Sequence, residues 1–422
     1  MDLLIAGARI VDPNSSHHHK RVDLLIRSGR IAEIGTGIKA GGKVRLFESP
    51  RLHVSPGWFD IGASFCDPGY EYKEDLRSGA GAAAAGGFTG VAIRPDTHPP
   101  IHSKSEVEYV LKNTAGGLVD VHPIGAISMH LGGVDPTEIL DMKAGGAVAF
   151  GDGDRPVDSA GLMLRSLLYV KPFNGLILSR PATTAITNDG VINEGETSVL
   201  LGMPGDPALS EELMVLRDIY LAEYTGSRLL FFKISAQRSV RLIREAQKAG
   251  LSVHAAVAAF HLLLDEKELN GYESNFKVNP PLRTSKDIRA LIGGVKDSCI
   301  DIICSDHSPH DIDSKKKEFE YAEAGMSMLE ATFSVAVTAL EGKVPLDRII
   351  HAMSIAPRVA LGLDPPVVEK GAAANLTLFD PTRTVTYDEK NWKSRSKNFP
   401  LFGRKLKGAV LGVINNNQSF FN

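Results

Sequence analysis

Between residues 87 and 340, short apolar runs alternate with longer segments of helical periodicity, and no other feature limits the fold as tightly. The runs at 87–93, 120–125, 147–150, 175–178, 228–234, 251–255 and 301–304 are candidate strands. Segments between them, at 105–111, 210–224, 240–249 and 328–340, predict helices; in Val240-Arg241-Leu242-Ile243-Arg244-Glu245-Ala246 the apolar positions recur at helical spacing. Strand and helix alternating at these intervals predict an α/β chain of parallel strands joined by helical crossovers, the rhythm of a (β/α)8 TIM barrel. In such a barrel chemistry gathers at the C-terminal ends of the strands.

Both ends of the chain are strand-rich instead. Leu3-Leu4-Ile5 and Ala8-Arg9-Ile10-Val11 run into the turn Asp12-Pro13-Asn14, and Arg27-Ser28-Gly29-Arg30 reads as the turn of a hairpin. The tail repeats the pattern at 374–380 and 408–414. One small β-sandwich domain built from residues 1–54 and 366–422 is therefore expected to flank a barrel of residues 55–365. The 422 residues suit that division. A net charge of −3 offers no concentrated positive charge for nucleic acid or an anionic membrane. The longest apolar runs fall well short of the roughly 20 residues that cross a bilayer. Three cysteines, Cys66, Cys299 and Cys304, show no metal-type spacing and no disulfide framework, which fits a reducing cytoplasm.

Several motifs carry a resemblance to a known family. Pro56-Gly57-Trp58-Phe59-Asp60, Asp67-Pro68-Gly69-Tyr70, Asn193-Glu194-Gly195-Glu196, Lys277-Val278-Asn279-Pro280-Pro281-Leu282-Arg283 and Ser305-Asp306-His307-Ser308-Pro309-His310 all resemble the dihydroorotases. These hydrolases interconvert carbamoyl-aspartate and dihydroorotate in pyrimidine synthesis. The similarity extends to Ser394–Asn398 and Gly403–Gly408 near the tail, and it implies a barrel of the amidohydrolase type. Opening a cyclic amide near neutral pH calls for a metal-activated water, a polarised carbonyl and a carboxylate to handle the proton. Active members carry zinc for this purpose. The resemblance implies His-X-His at the end of the first barrel strand, a carboxylate after the fourth, histidines after the fifth and sixth, and an aspartate base after the eighth.

This sequence departs from that pattern. Gly62 and Ser64 stand at the first-strand positions, Ser179 after the fifth strand and Lys233 after the sixth. Asp152 and Asp306 match the two carboxylate positions, Asp306 being a vestigial base. At the substrate end the family has an arginine where Cys66 stands and an asparagine where Asp96 stands, whereas Asn279 and His310 are retained. Two carboxylates are a poor zinc site, since zinc takes about four ligands, and a charged lysine has no lone pair to donate. No cofactor is expected. Lys233 is expected instead to neutralise Asp306 or Asp152 within salt-bridge distance, although an activated amine is a second reading.

The resemblance therefore implies a catalytically inactive dihydroorotase homologue, with aspartate transcarbamoylase as its expected partner and a homo-oligomer as its expected state. The alternative is an active dihydroorotase, hydantoinase or allantoinase with an atypical site, one metal held by Asp152, Asp306 and His254 or His261. Other signals have plainer readings. His17-His18-His19 lies in a turn and reads as a solvated loop; Cys66 reads as a packed thiol; Lys315-Lys316-Lys317 reads as a solvated charge run. Gly79-Ala80-Gly81 precedes a strand, the wrong context for a dinucleotide fingerprint.

Overall fold

The computed structural model describes residues 2–39, 41, 44–187 and 189–422. Eight strands form the parallel barrel: Trp58–Ala63, Phe88–Ile93, Asp120–Gly125, Ala149–Phe150, Leu176–Ser179, Arg228–Phe231, Val253–Ala258 and Ile302–Cys304, each paired with the next in order. Side chains and loops close the seam between the first and eighth strands. The Asp60 carboxylate accepts from the Ser305 amide (2.6 Å) and hydroxyl (2.7 Å), and the Ser64 amide donates to the His307 carbonyl (2.8 Å).

Asp60 is wholly buried, and burial pushes its carboxyl up to about 7 against the Ser305 hydrogen bonds. A carboxyl raised in the folded state holds its proton between about pH 4 and pH 7 while the unfolded chain releases it, so its contribution to stability grows as pH falls through that window. Asp60→Asn, which fixes the uncharged form, is expected to remove about 2 kcal/mol of the stability difference between pH 8 and pH 5. Chemical denaturation of both proteins at the two pH values checks this; equal differences would refute it.

Several helices begin where the sequence supplies caps. Asp75 accepts from the Ser78 amide ahead of Leu76–Ala85, and Ser103 and Thr284 open Lys104–Thr114 and Ser285–Lys296 with capping boxes. The expected helix at 328–340 starts as a short 3-10 turn and becomes α-helical only over Thr332–Leu340. The expected fourth strand shrinks to Ala149–Phe150.

After the fifth strand the chain makes an excursion that periodicity did not reveal: a short parallel ladder of Ile192–Asn193 with Gly205–Asp206, enclosing the helix Glu196–Leu201. Arg283 pins it, donating to the Asn193 side chain (3.0 Å), the Asp206 carbonyl (2.5 Å) and the Ser235 hydroxyl (3.1 Å).

Residues from both termini share a second sheet. Strand Leu376–Thr386 pairs antiparallel with His53–Pro56 and with Lys405–Asn415, joining the tail to the N-terminal strands in one continuous eight-stranded sheet. Leu3, Ile5, Leu24, Ile26, Val54, Leu376, Leu378 and Ile414 form a core there, separate from the aromatic barrel core of Trp58, Phe88, Phe231, Phe260 and Phe333. Cys66, Cys299 and Cys304 are free and buried. Among the described residues no helix is long and apolar enough to cross a membrane.

Candidate functional site

The C-terminal strand ends converge on a knot of charge. Lys233, after the sixth strand, turns inward and is 1% exposed; its Nζ lies 2.5 Å from Asp154 Oδ1 and 3.1 Å from Asp306 Oδ1. Arg94, after the second strand, sends one guanidinium nitrogen to Asp306 (3.2 Å), another to the Ser308 hydroxyl (3.1 Å), and its Nε to Asp96 (3.2 Å). Arg180, after the fifth strand, lies 3.7 Å from Asp154 and donates to the Asn279 side-chain oxygen. Three cations thus face three carboxylates, so the network is neutral. Burial raises Asp306 to about 6 in opposition to Lys233, whereas Lys233, Arg94 and Arg180 overcome burial at Asp154 and hold its carboxyl well below the usual range. Lys233 and Asp306 have φ of 58° and 48°, the left-handed region that costs a non-glycine residue about 1–3 kcal/mol. The surrounding ion pairs hold them there.

The first-strand end is closed by packing. Gly62 has φ +84°, and a Cβ there would lie 2.3 Å from Cζ of Phe232. The buried Phe232 ring thus fills the space into which a side chain at residue 62 would project. Ser64 is buried with its hydroxyl 3.5 Å from the Cys66 sulfur. Burial pushes that thiol up to about 12, so Cys66 is not a poised nucleophile.

Several expected positions lie elsewhere. Asp152 does not meet Lys233: it accepts from the Ile127 and Ser128 amides (2.9 and 3.0 Å) and the Ser128 hydroxyl, tying the third strand end to the fourth. The carboxylate at the network is Asp154. Gly153 between them, with φ +63°, turns the chain so that the two acids face different partners. Ser179 donates to buried Asp218 (2.6 Å), away from Asp306's network. Asp96 is spent on Arg94. His310 sits 3.5 Å from Lys73 and against the Ala324 carbonyl (3.1 Å); burial, then Lys73, lowers it to about 3.

Of the histidines offered for an atypical site, one fails on position and the other is bound to backbone. His254 lies near the start of its strand, at the opposite end of the barrel, bonded to Asp301 (2.6 Å). His261 is buried with its Nε2 3.1 Å from the Pro280 carbonyl, and burial lowers it to about 3. Among the described residues, the three-residue group with ligand-type atoms close enough for a metal is His18, His19 and Asp347, outside the barrel mouth. There His18 Nδ1 already accepts from the Asp12 amide (3.2 Å), which leaves the neutral ring's proton on Nε2.

The residues present therefore do not fit zinc. Imidazoles are absent from all four expected positions, an ammonium sits between Asp154 and Asp306, and an aromatic ring closes off residue 62. Nor is Lys233 placed as an amine nucleophile, since its Nζ is engaged by Asp154 and Asp306.

Comparison with known proteins fixes the family of the chain. Residues 51–239 match the model of the Dihydro-orotase-like family, and residues 197–417 that of the Amidohydrolase family. The dihydroorotase of Geotalea daltonii is 39% identical over 98% of this chain and 98% of its own length. That of Ruminiclostridium cellulolyticum is 39% identical over 97% and 96%. The chain belongs to the dihydroorotase family. Its fold is also that of the L-hydantoinase from Arthrobacter aurescens, with a TM-score of 0.85 at 22% identity over 99% of this chain and 95% of that one.

Arg94, Asp154, Arg180 and Phe232 were not singled out from the sequence. Each lies within three residues of a position that was, so strand-end proximity was the available signal.

Proposed function

We propose that this dihydroorotase-family chain does not hydrolyse cyclic amides and serves pyrimidine synthesis as a structural partner of aspartate transcarbamoylase. The observation that carries the first half is the Lys233 ammonium held between Asp154 and Asp306. A cation from the protein itself supplies the positive charge these carboxylates require, and it cannot activate water or polarise a carbonyl as a metal does. Both Lys233 and Arg94 converge on Asp306 Oδ1, so the family's base is consumed in ion pairing.

The second half rests on the resemblance to inactive homologues that assemble with that enzyme, together with a barrel and terminal sheet whose cores are intact. The names of the relatives favour an active dihydroorotase as the competing reading. That reading requires a metal where Lys233 lies.

Elemental analysis of the purified protein is expected to give less than about one tenth of a zinc per chain, with no dihydroorotate turnover after zinc addition. Near-stoichiometric zinc with turnover would overturn the first half. Mixing with aspartate transcarbamoylase at micromolar concentration is expected to give one complex in mass photometry, and two separate species would overturn the second.

A further inference from the structure

The run Lys315-Lys316-Lys317 reads in the sequence as a solvated stretch of charge, and the structure splits it. Lys316 and Lys317 are exposed, and their ammonium groups pair with nothing among the described residues. Lys315 is buried. Its Nζ donates to the Glu323 and Gly325 carbonyls (2.7 and 3.3 Å), and among the described residues no carboxylate forms a salt bridge with it. Burial, and then the nearby Lys277 ammonium, lowers Lys315 to about 7; that repulsion outweighs the attraction of Glu273 or of Glu323. Lys277 is itself buried and donates to the Glu320 carbonyl (2.7 Å). Two ammonium groups are thus buried close enough to repel, with no carboxylate bonded to either. Proteins pair buried charges, and an anion would complete this arrangement.

The missing charge has a place to bind. All three lysines of the run line a cavity of about 670 Å³, within the size range of small-molecule sites. It opens among the loops after the first, seventh and eighth barrel strands and the segment 395–398. Five lysines and arginines line it against three carboxylates, so its field favours an anion. Arg395 is taken by Asp75, and Lys397 by the Trp392 and Ser394 carbonyls, which leaves Lys316 and Lys317 for a ligand. Tyr72 and Tyr272, also in the lining, are 59% and 48% exposed and offer rings on which a planar group can stack. The Asn275 side-chain oxygen in the wall is buried and accepts no hydrogen bond among the described residues. We infer that this cavity binds a nucleoside monophosphate. Lys316 and Lys317 hold the phosphate in the positive field of Lys315. The base stacks on the tyrosines and donates an N–H to Asn275.

Lys233, Arg94, Asp154 and Asp306 do not line the cavity, so the inference stands apart from the loss of hydrolysis. Isothermal titration calorimetry of the full chain with the four ribonucleoside monophosphates is expected to show binding of at least one, with a Kd below about 100 µM. Inorganic phosphate and the matching nucleoside are each expected to bind at least tenfold more weakly. Lys316→Glu combined with Lys317→Glu is expected to weaken the nucleotide at least tenfold without moving thermal unfolding, because both side chains are exposed. Tyr72→Ala combined with Tyr272→Ala is expected to weaken the nucleotide at least tenfold and to leave inorganic phosphate unchanged. No binding of any of the four at about 1 mM would overturn the assignment. So would phosphate that binds as tightly as the nucleotide, or nucleotide binding indifferent to either pair of substitutions.

Discussion

Lys233→Met is expected to destabilise the protein by about 3 kcal/mol or more at pH 7.5, because it strips the shared counter-ion from Asp306, which is buried, and from Asp154. Removing one partner of a buried pair costs more than the pair contributes, since the remaining charge is left in a medium that solvates it poorly. The sign of the pH dependence follows. In the native protein Asp154 is depressed, so its stabilisation is present above the ordinary carboxylate range and lost only in strong acid. Without Lys233 both carboxyls move up, the folded state takes up protons more readily than the unfolded chain, and the deficit shrinks as pH falls from 7.5 toward 5. Adding Asp306→Asn to the variant is expected to recover part of the loss, with a coupling of about 1 kcal/mol or more in a double-mutant cycle. Urea denaturation at the two pH values reads all of this. A deficit below about 1 kcal/mol, or one that does not change with pH, would show that the ammonium is not the charge that holds the barrel mouth together.

A single methyl group at residue 62 is expected to be nearly as damaging. Gly62→Ala places a side chain at φ +84° and drives its Cβ into the Phe232 ring. The backbone term costs about 1–3 kcal/mol and overpacking another 1–3 kcal/mol. Phe232→Ala alone opens a cavity and costs about 3–5 kcal/mol. In the double variant the clash is gone, so its loss should fall short of the two single losses added together by about 1 kcal/mol or more. Additive losses would mean that ring and glycine do not oppose each other. The same geometry bears on building the metal site that the resemblance implies: histidines introduced at 62, 64, 179 and 233 while keeping Phe232 are expected to yield no stoichiometric zinc by elemental analysis.

The two predictions depend on features that differed in how visible they were. Substituted ligand positions were legible because each stands at a fixed offset in a motif such as Asp60-Ile61-Gly62-Ala63-Ser64 or Phe231-Phe232-Lys233. A lysine at a position where the resemblance implies a metal ligand also foretold, on electrostatic grounds alone, a carboxylate beside it. Which carboxylate could not be read: Asp152 and Asp154 are both at the fourth strand end, and the positive φ at Gly153 turns one toward Ser128 and the other toward Lys233. His254, named only for the alternative site, lies at the other end of the barrel for a related reason: the strand runs over Val253–Ala258 and His254 is its second residue.

By itself, then, the sequence determined the barrel rhythm, the pairing of two strand-rich ends, the family and the non-histidine residues at positions 62, 64, 179 and 233, since these are set by local periodicity, turn chemistry and residue identity. Only the tertiary structure decided that Arg94, Arg180 and Lys233 share Asp154 and Asp306, that Phe232 fills the space beside Gly62, and that Lys315 of the charge run is buried. Those partners lie up to about two hundred residues apart in the chain, and closure of the parallel barrel, which local preference cannot encode, brings their strand ends within reach.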